Sequence, residues 1–290
     1  MNDRVFIIGC GAVGSSLAGA ISRTDLSVSG VFDLREDRCA ELALQIGCAH
    51  FGTLPGIVAN AQIVIVAVPD GSIGDVAARA AADGACSRDQ VWLHCSGLNG
   101  AEILTPLDGL VAGTGTLHPA LVFSPGTVRE IPPGTHFAVD GNNRAVAVAQ
   151  ELAGLLRGIS VIVPAGARPG YHAATVIASN YVVTLLSEAK KSLEAQGMDA
   201  DMAQSLLTSL TSSAVEAAST RGIEASLSGP IRRGDTEAIG RHIDALLPKT
   251  EELYRFLGAR TIDLVRTLGE LDPEKIREME NELGFDPKGS

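Results

Sequence analysis

Over the first half of the chain, short apolar runs alternate with amphipathic stretches. Arg4–Ile8 (RVFII), Val28–Asp33 (VSGVFD), Ile63–Val68 (IVIVAV), Val91–His94 (VWLH) and Val111–His118 (VAGTGTLH) predict strands. The third is apolar throughout, the pattern of a central parallel strand covered on both faces. Between the strands, the spacing of apolar positions predicts helices over Ala12–Ser22, Glu36–Ile46 and Ile73–Ala82. Such alternation builds βαβ units and a doubly wound sheet. Thr135–Val139 and Ser160–Pro164, flanking a helix near Arg144–Leu156, extend that sheet.

The pattern changes after the Pro/Gly-rich connector VPAGARPG (Val163–Gly170), beyond which the period is helical. One helix is predicted from Pro169, suited to a first turn, to Gly197, suited to a helix end. A second covers Asp199–Thr220. After the loop Ser226–Asp235 come helices near Thr236–Leu247, Lys249–Leu268 and Pro273–Leu283. The expected architecture is an N-terminal α/β domain over residues 1–165 and an all-helical domain over 166–290.

Composition narrows the function. A net charge of −11 over 290 residues argues against a general grip on nucleic acid, which requires a basic surface. Any anionic ligand must be held by local donors against that field. No apolar run approaches the ~18–20 residues that span a bilayer. The start, MNDRVFIIGCG, leads into a glycine turn rather than a cleavable leader. The five cysteines, odd in number and without CxxC spacing, fit reduced thiols and a cytoplasmic location.

The first strand runs into Gly9-x-Gly11-x-x-Gly14, which opens a helix, with Ala12 and Val13 between the last two glycines. Those glycines serve a tight turn, close backbone approach to a pyrophosphate and close helix–strand contact, with the helix N-terminus beneath the phosphates. An acidic residue, Asp33, ends the second strand, where it accepts from a ribose diol. The N-terminal domain therefore reads as a Rossmann domain. Asp33 favours NAD, while Arg35 and Arg38 offer a clamp for the 2′-phosphate of NADP.

In open α/β sheets ligands bind beyond the carboxyl ends of the strands. Three such ends carry chemistry here: Val68-Pro69-Asp70, His94-Cys95-Ser96-Gly97 and His118-Pro119. Val68 and Pro69 belong with the cofactor residues. His118 is placed to donate a proton while hydride arrives, His94 to contact substrate, and Ser96 to hydrogen-bond substrate or nicotinamide. The plainer alternatives are a histidine capping its strand end and a serine forming a turn. The two histidines lack the neighbours a metal site requires, so no metal is expected.

Further along, GYHAATVIASNYVVTLL (Gly170–Leu186) carries His172, Ser179 and Asn180 in an apolar helix. At 100° per residue His172 and Asn180 share a face, about 12 Å apart along the axis at ~1.5 Å per residue. Tyr171 points off that face, as a packing residue. In the loop SGPIRRGD (Ser228–Asp235), Arg232 or Arg233 can take a substrate carboxylate. The alternative is an Arg–Asp pair with Asp235 capping the next helix.

Taken together, GCGAVG, AVPDGSI, HCSGLNGAEIL, GTLHPALVF, YHAATVIASNYVVTL and SGPIRRGD resemble a family of Rossmann-like oxidoreductases whose C-terminal helical domain has no known function. The resemblance covers nearly the whole chain. It implies kinship with 6-phosphogluconate dehydrogenase-like and pyrroline-5-carboxylate reductase-like enzymes, and dimerisation through the helical domain. Some relatives are thought to be ketopantoate reductases, which implies a small 2-keto acid substrate. The β-hydroxyacid dehydrogenase relatives carry a catalytic lysine four residues before an asparagine; aligned on Asn180, that position is Val176, so their mechanism does not transfer. The expected site is Ser96, His118, His172 and Asn180 for catalysis, with His94 and Arg233 on substrate. The expected activity is NAD(P)-dependent reduction of a carbonyl, with His172 ahead of His118 as proton donor. Imine reduction and non-catalytic dinucleotide sensing are the alternatives.

Overall fold

The computed structural model describes residues 4–53, 58, 60–124, 128–164 and 166–284. Met1–Asp3 of the opening stretch and Ala165 of the connector lie outside them. The chain forms two compact units, residues 1–179 and 180–290.

The first unit is built on an eight-stranded sheet in the order β3-β2-β1-β4-β5-β6-β7-β8. Its strands are β1 (Arg4–Ile8), β2 (Ser27–Phe32), β3 (Ala49–Phe51), β4 (Ile63–Val66), β5 (Val91–His94), β6 (Gly113–Pro119), β7 (His136–Gly141) and β8 (Ile159–Ile162). Strands β1 to β6 run parallel; β7 is antiparallel to β6, and β8 is parallel to β7. This is the doubly wound sheet expected from the alternation of patterns, and β4 is central in it. The chain reverses its direction of travel across the sheet between β1 and β4, which opens a crevice beyond their carboxyl ends.

Both faces of the sheet are covered. Val5 and Ile7 of β1 lie in one buried cluster with Leu93, Leu117 and Val139; Phe6 and Ile8 lie in another with Val64, Trp92 and Leu104. Covering helices are α1 (Ala12–Ile21), α2 (Glu36–Ile46), α3 (Ile73–Ala82) and α4 (Asn143–Leu155). Local chemistry sets their ends. Glu36 and Asp37 occupy the first turn of α2, and Gly47 ends it in the left-handed conformation at φ 71°. Asn142 caps α4 by accepting from Ala145 N at 2.9 Å.

The predicted long helix from Pro169 to Gly197 is two helices, α5 (Arg168–Ala178) and α6 (Asn180–Ala195). The break is at Ser179, whose torsions (φ −127°, ψ −71°) are not helical. Its Oγ donates back to Thr175 O at 2.6 Å, and its N–H bonds the carbonyl three residues earlier, Val176 O, rather than four. Serine back-bonding of this kind bends helices. A shared face for His172 and Asn180 required an unbroken helix, so that geometry does not hold.

The second unit is helical: α6, α7 (Ala200–Arg221), α8 (Pro230–Arg233), α9 (Thr236–Ala245), α10 (Pro248–Leu268) and α11 (Pro273–Glu282). Its core joins Ile231, Ile239, Ile243, Ile262, Val265, Met279 and Leu283. No described helix is long and apolar enough to cross a membrane.

Candidate functional site

The glycine-rich turn follows β1 as expected. Gly9 has φ +103°, and a Cβ there would lie 2.4 Å from Ala67 O; a Cβ at Gly14 would lie 1.9 Å from Gly9 O. Neither position admits a side chain. A Cβ at Gly11 would instead meet nothing within 4 Å. That space is where a ligand can approach the backbone, at the start of a helix whose first turn has no side-chain cap. A cavity of about 570 Å³ is lined by Gly9, Gly11, Asp33, Arg35, Arg38, Val68, Pro69 and Arg79, among others. These residues fit a dinucleotide: a bare backbone cradle for the pyrophosphate, with acidic and basic groups beyond it.

Asp33 does more there than wait for a ribose. Its Oδ2 accepts from Cys10 N at 2.7 Å and its Oδ1 from Arg35 N at 2.8 Å, so the carboxylate ties the β1–α1 turn to the start of α2. The Arg35 guanidinium pairs with Asp37 at 3.1 Å. Behind the turn the buried thiols of Cys10 and Cys39 are in contact at 3.1 Å.

At the ends of β5 and β6 the alternation of strand side chains puts His94, Thr116 and His118 on one face of the sheet. They are not equivalent. His94 is fully buried; its Nε2 bonds Gly100 O at 3.0 Å and its Nδ1 accepts from Ser96 N at 3.2 Å. Loss of water pushes its pKa down. The structure thus gives His94 a loop-fixing place rather than the substrate contact expected of it. Ser96 is also committed to the loop, its Oγ accepting from Leu98 N, Asn99 N and Asn99 Nδ2 at 3.0–3.2 Å. Cys95 points to the other face, and loss of water pushes its thiol up to about 12.

His118 and His172 do come together. A Cβ added to Gly97 would lie 2.9 Å from His118 Nε2 and 2.7 Å from His172 Cδ2. Both rings therefore close on one point in front of that glycine. Burial pushes His118 down to about 4, helped by the Arg168 guanidinium and by His172. The imidazole is therefore neutral at physiological pH.

The residues that complete this cluster are ones the sequence reading passed over. Tyr171, expected to be a packing residue, places its hydroxyl 3.0 Å from His118 Nδ1, with the two rings edge to face. One helical turn earlier Arg168, buried to 2% exposure, lies with its guanidinium carbon 5.7 Å from the centre of the Tyr171 ring. Arg168 Nε bonds Asp140 Oδ2 at 2.7 Å, and Arg168 Nη2 reaches Thr116 Oγ1 and Ala138 O. The pair anchors the start of α5 to β6 and β7. The available signals were the i, i+3 spacing of Arg168 and Tyr171 and an aspartate next to the end of β7.

In the helical unit Arg232, not Arg233, holds the SGPIRRGD loop. It grips Glu270 with two nitrogens at 3.0 and 3.2 Å and donates to Ala225 O and Leu227 O. Arg233 is exposed, and Asp235 caps α9 by accepting from Ala238 N. Asn180 is exposed at the first position of α6.

Residues 2–119 match the Rossmann-like domain family, and residues 135–261 match the domain of unknown function DUF2520. Comparison with curated proteins gives no match. Among solved structures, a putative NADP oxidoreductase from Bacteroides fragilis is similar over 89% of this chain and 96% of that one, at 20% identity and a TM-score of 0.71. A Thermotoga maritima protein is similar over 92% and 100%, at 23% identity and a TM-score of 0.70. A pyrroline-5-carboxylate reductase from Coxiella burnetii is similar over 97% and 99%, at 14% identity and a TM-score of 0.62. At such identities these likenesses are of fold. The chain thus joins a Rossmann-like domain to a domain of the DUF2520 family.

Proposed function

We propose that the protein is an NAD(P)-dependent oxidoreductase that reduces the C=O of a small carboxylate-bearing substrate, a 2-keto acid such as ketopantoate, and that it acts as a homodimer. The observation that carries this reading is the meeting of His118 and His172 against Gly97, in the unit that also holds the glycine cradle. When bound, the reduced nicotinamide supplies hydride to the carbonyl carbon. The part of the chain is to place a proton donor at the oxygen. His118, neutral and fixed through Nδ1, takes that role ahead of His172, which walls the same point and orients the substrate.

The cavity beside Gly11 carries both signs needed to bind either cofactor. The lone pairs left on Asp33 accept from a ribose diol, which supports NAD. Arg38 and Arg79 line the same cavity and would meet the 2′-phosphate of NADP. The Bacteroides fragilis relative is described as a putative NADP oxidoreductase, which supports a nicotinamide dinucleotide here.

A second reading, reduction of a C=N bond, draws on the neutrality of His118. A protonated imine needs no proton from the protein, and the Coxiella burnetii relative acts on pyrroline-5-carboxylate. One experiment separates the readings: oxidation of NADH and NADPH with ketopantoate, pyruvate and 1-pyrroline-5-carboxylate, for the wild type and His118→Ala. Carbonyl reduction is expected to lose about 10²–10⁴-fold in kcat in the variant, the usual worth of a general acid. Turnover of the imine alone, unaffected by His118→Ala, would replace the first reading by the second. Tight dinucleotide binding without turnover of any of the three would remove both.

A further inference from the structure

His118 cannot act as an acid simply by carrying an extra proton. Burial disfavours a positive charge on it most, and Arg168 and His172 from α5 and His94 from β5 add to that; Asp70, after β4, opposes them, and Asp140 on β7 is already paired with Arg168. A neutral imidazole that gives up a proton from one nitrogen must take one on the other. The structure has a donor in place at that second nitrogen.

We propose that Tyr171 is the proton source for the reaction, acting through His118. The half-buried phenol has His118 Nδ1 as its one hydrogen-bond partner among the described residues, at 3.0 Å. A buried tyrosine hydroxyl donates when an acceptor is available, so Nδ1 accepts and the ring hydrogen sits on Nε2. Nε2 is the nitrogen that faces Gly97 and His172. Burial holds the phenol above its ordinary pKa, and Arg168, 5.7 Å from the centre of its ring, works against that by favouring the phenolate. That guanidinium is held by Asp140 and cannot swing away.

The step balances. Hydride reaches the carbonyl carbon, the C=O π pair moves to oxygen, and that oxygen takes the Nε2 proton of His118. Nδ1 takes the hydroxyl proton of Tyr171, leaving His118 neutral as the other tautomer and Tyr171 as a phenolate beside Arg168. After product leaves, solvent gives a proton to Nε2 as the Nδ1 proton returns to the phenolate, which restores the starting tautomer. In this scheme Tyr171 acts through His118 rather than on the reacting atoms, so it is a positioning and proton-supplying residue.

This rests on the carbonyl reading, so the test has one arm independent of turnover. In ¹⁵N-labelled wild type without cofactor, two-bond ¹⁵N–¹H spectra at pH 7 are expected to show His118 neutral, with hydrogen on Nε2 and the Nδ1 shift of a hydrogen-bond acceptor. In Tyr171→Phe the Nδ1 signal should move to that of a free acceptor. With ketopantoate and NADPH, Tyr171→Phe is expected to lose about 10–10²-fold in kcat with KM within twofold. Its activity should also depend newly on pH, as solvent replaces the missing hydroxyl. Hydrogen on Nδ1 in the wild type overturns the proposal, whatever the activity. So does a Tyr171→Phe enzyme with wild-type kcat and pH profile on the keto acid. If the wild type turns over only 1-pyrroline-5-carboxylate, the carbonyl reading fails, and the relay fails with it even where the tautomer is as expected.

Discussion

A methyl group on Gly97 would meet His172 Cδ2 at 2.7 Å and His118 Nε2 at 2.9 Å. Those atoms belong to rings held between β6, α5 and the β5 loop, so neither yields as the tip of a lysine would. Gly97→Ala should displace one imidazole from the other and lower kcat/KM for the reduced substrate by tenfold or more. The cofactor dissociation constant should stay within about twofold, because the 570 Å³ cavity is built from other residues. Fluorescence titration with NADH beside steady-state kinetics reads both. An unchanged kcat/KM would mean that the meeting of rings has no part in catalysis. The same histidine sets an acid limit on the fold. His118 titrates near 4 when folded and near 6.5 when unfolded, so between these values the unfolded chain binds more protons. Stability is therefore lost as pH falls through that window, by on the order of 2–3 kcal/mol. His94, shifted the same way, adds to the loss. Urea unfolding at pH 7.0 and 4.0 should show His118→Gln losing less stability than the wild type; equal losses would place the cause elsewhere.

At the level of elements, α5 is fastened to the sheet by one buried ion pair. The Arg168 and Asp140 side chains are 2% and 11% exposed, and Arg168 Nη1 and Asp140 Oδ1 have no partner among the described residues. Removing one member leaves the other charge buried and alone, so Arg168→Met should cost about 3–5 kcal/mol. The double change Arg168→Met with Asp140→Leu should recover most of that loss, because it removes both desolvation penalties. Denaturant midpoints of the two variants test this; equal destabilisation of single and double would show that packing rather than charge fixes α5. The pair leaves no local trace in the sequence. Glu36–Ile46, Ile73–Ala82 and the Gly9–Gly14 turn were legible because periodicity and glycine spacing are local signals. The strands of the sheet were legible for the same reason, except β3, which at three residues is too short to show a period. Arg168 meets Asp140 across 28 residues of chain, and His118 meets Tyr171 across 53. Helical spacing shows which residues share a face of α5, but not what lies opposite that face. Hence the face that carries His172 is legible in the sequence, while the partner of its neighbour Tyr171 is not. The break at Ser179 interrupts an apolar period that continues through it, so periodicity alone does not reveal it.

For the molecule as a whole, the helical unit leaves apolar surface without cover. The sixteen residues of α6 include no buried side chain, and the twenty-two of α7 include only Ala203. Met202, Leu206 and Leu210, spaced four apart on α7, are 63%, 48% and 65% exposed. On α6 Tyr181 and Val183 are 55% and 64% exposed. Helices of this kind draw most of their stability from packing an apolar face, and each leucine fully covered contributes about 1.5–3 kcal/mol. In the proposed homodimer these faces cover one another. Charge opposes that pairing, since each copy carries −11. Salt screens the repulsion over about 8–10 Å at physiological strength and leaves apolar contact intact. The dimer should therefore tighten as sodium chloride rises from 20 to 300 mM, the reverse of an interface held by opposite charges. Leu210→Asp, which buries a carboxylate within the stripe, should weaken it at least a hundredfold at every salt concentration. Light scattering across a concentration series, at both salt levels, reads mass directly. A monomer at tens of micromolar in the wild type, or a dimer unaffected by Leu210→Asp, would show that α7 is covered by something other than its own copy.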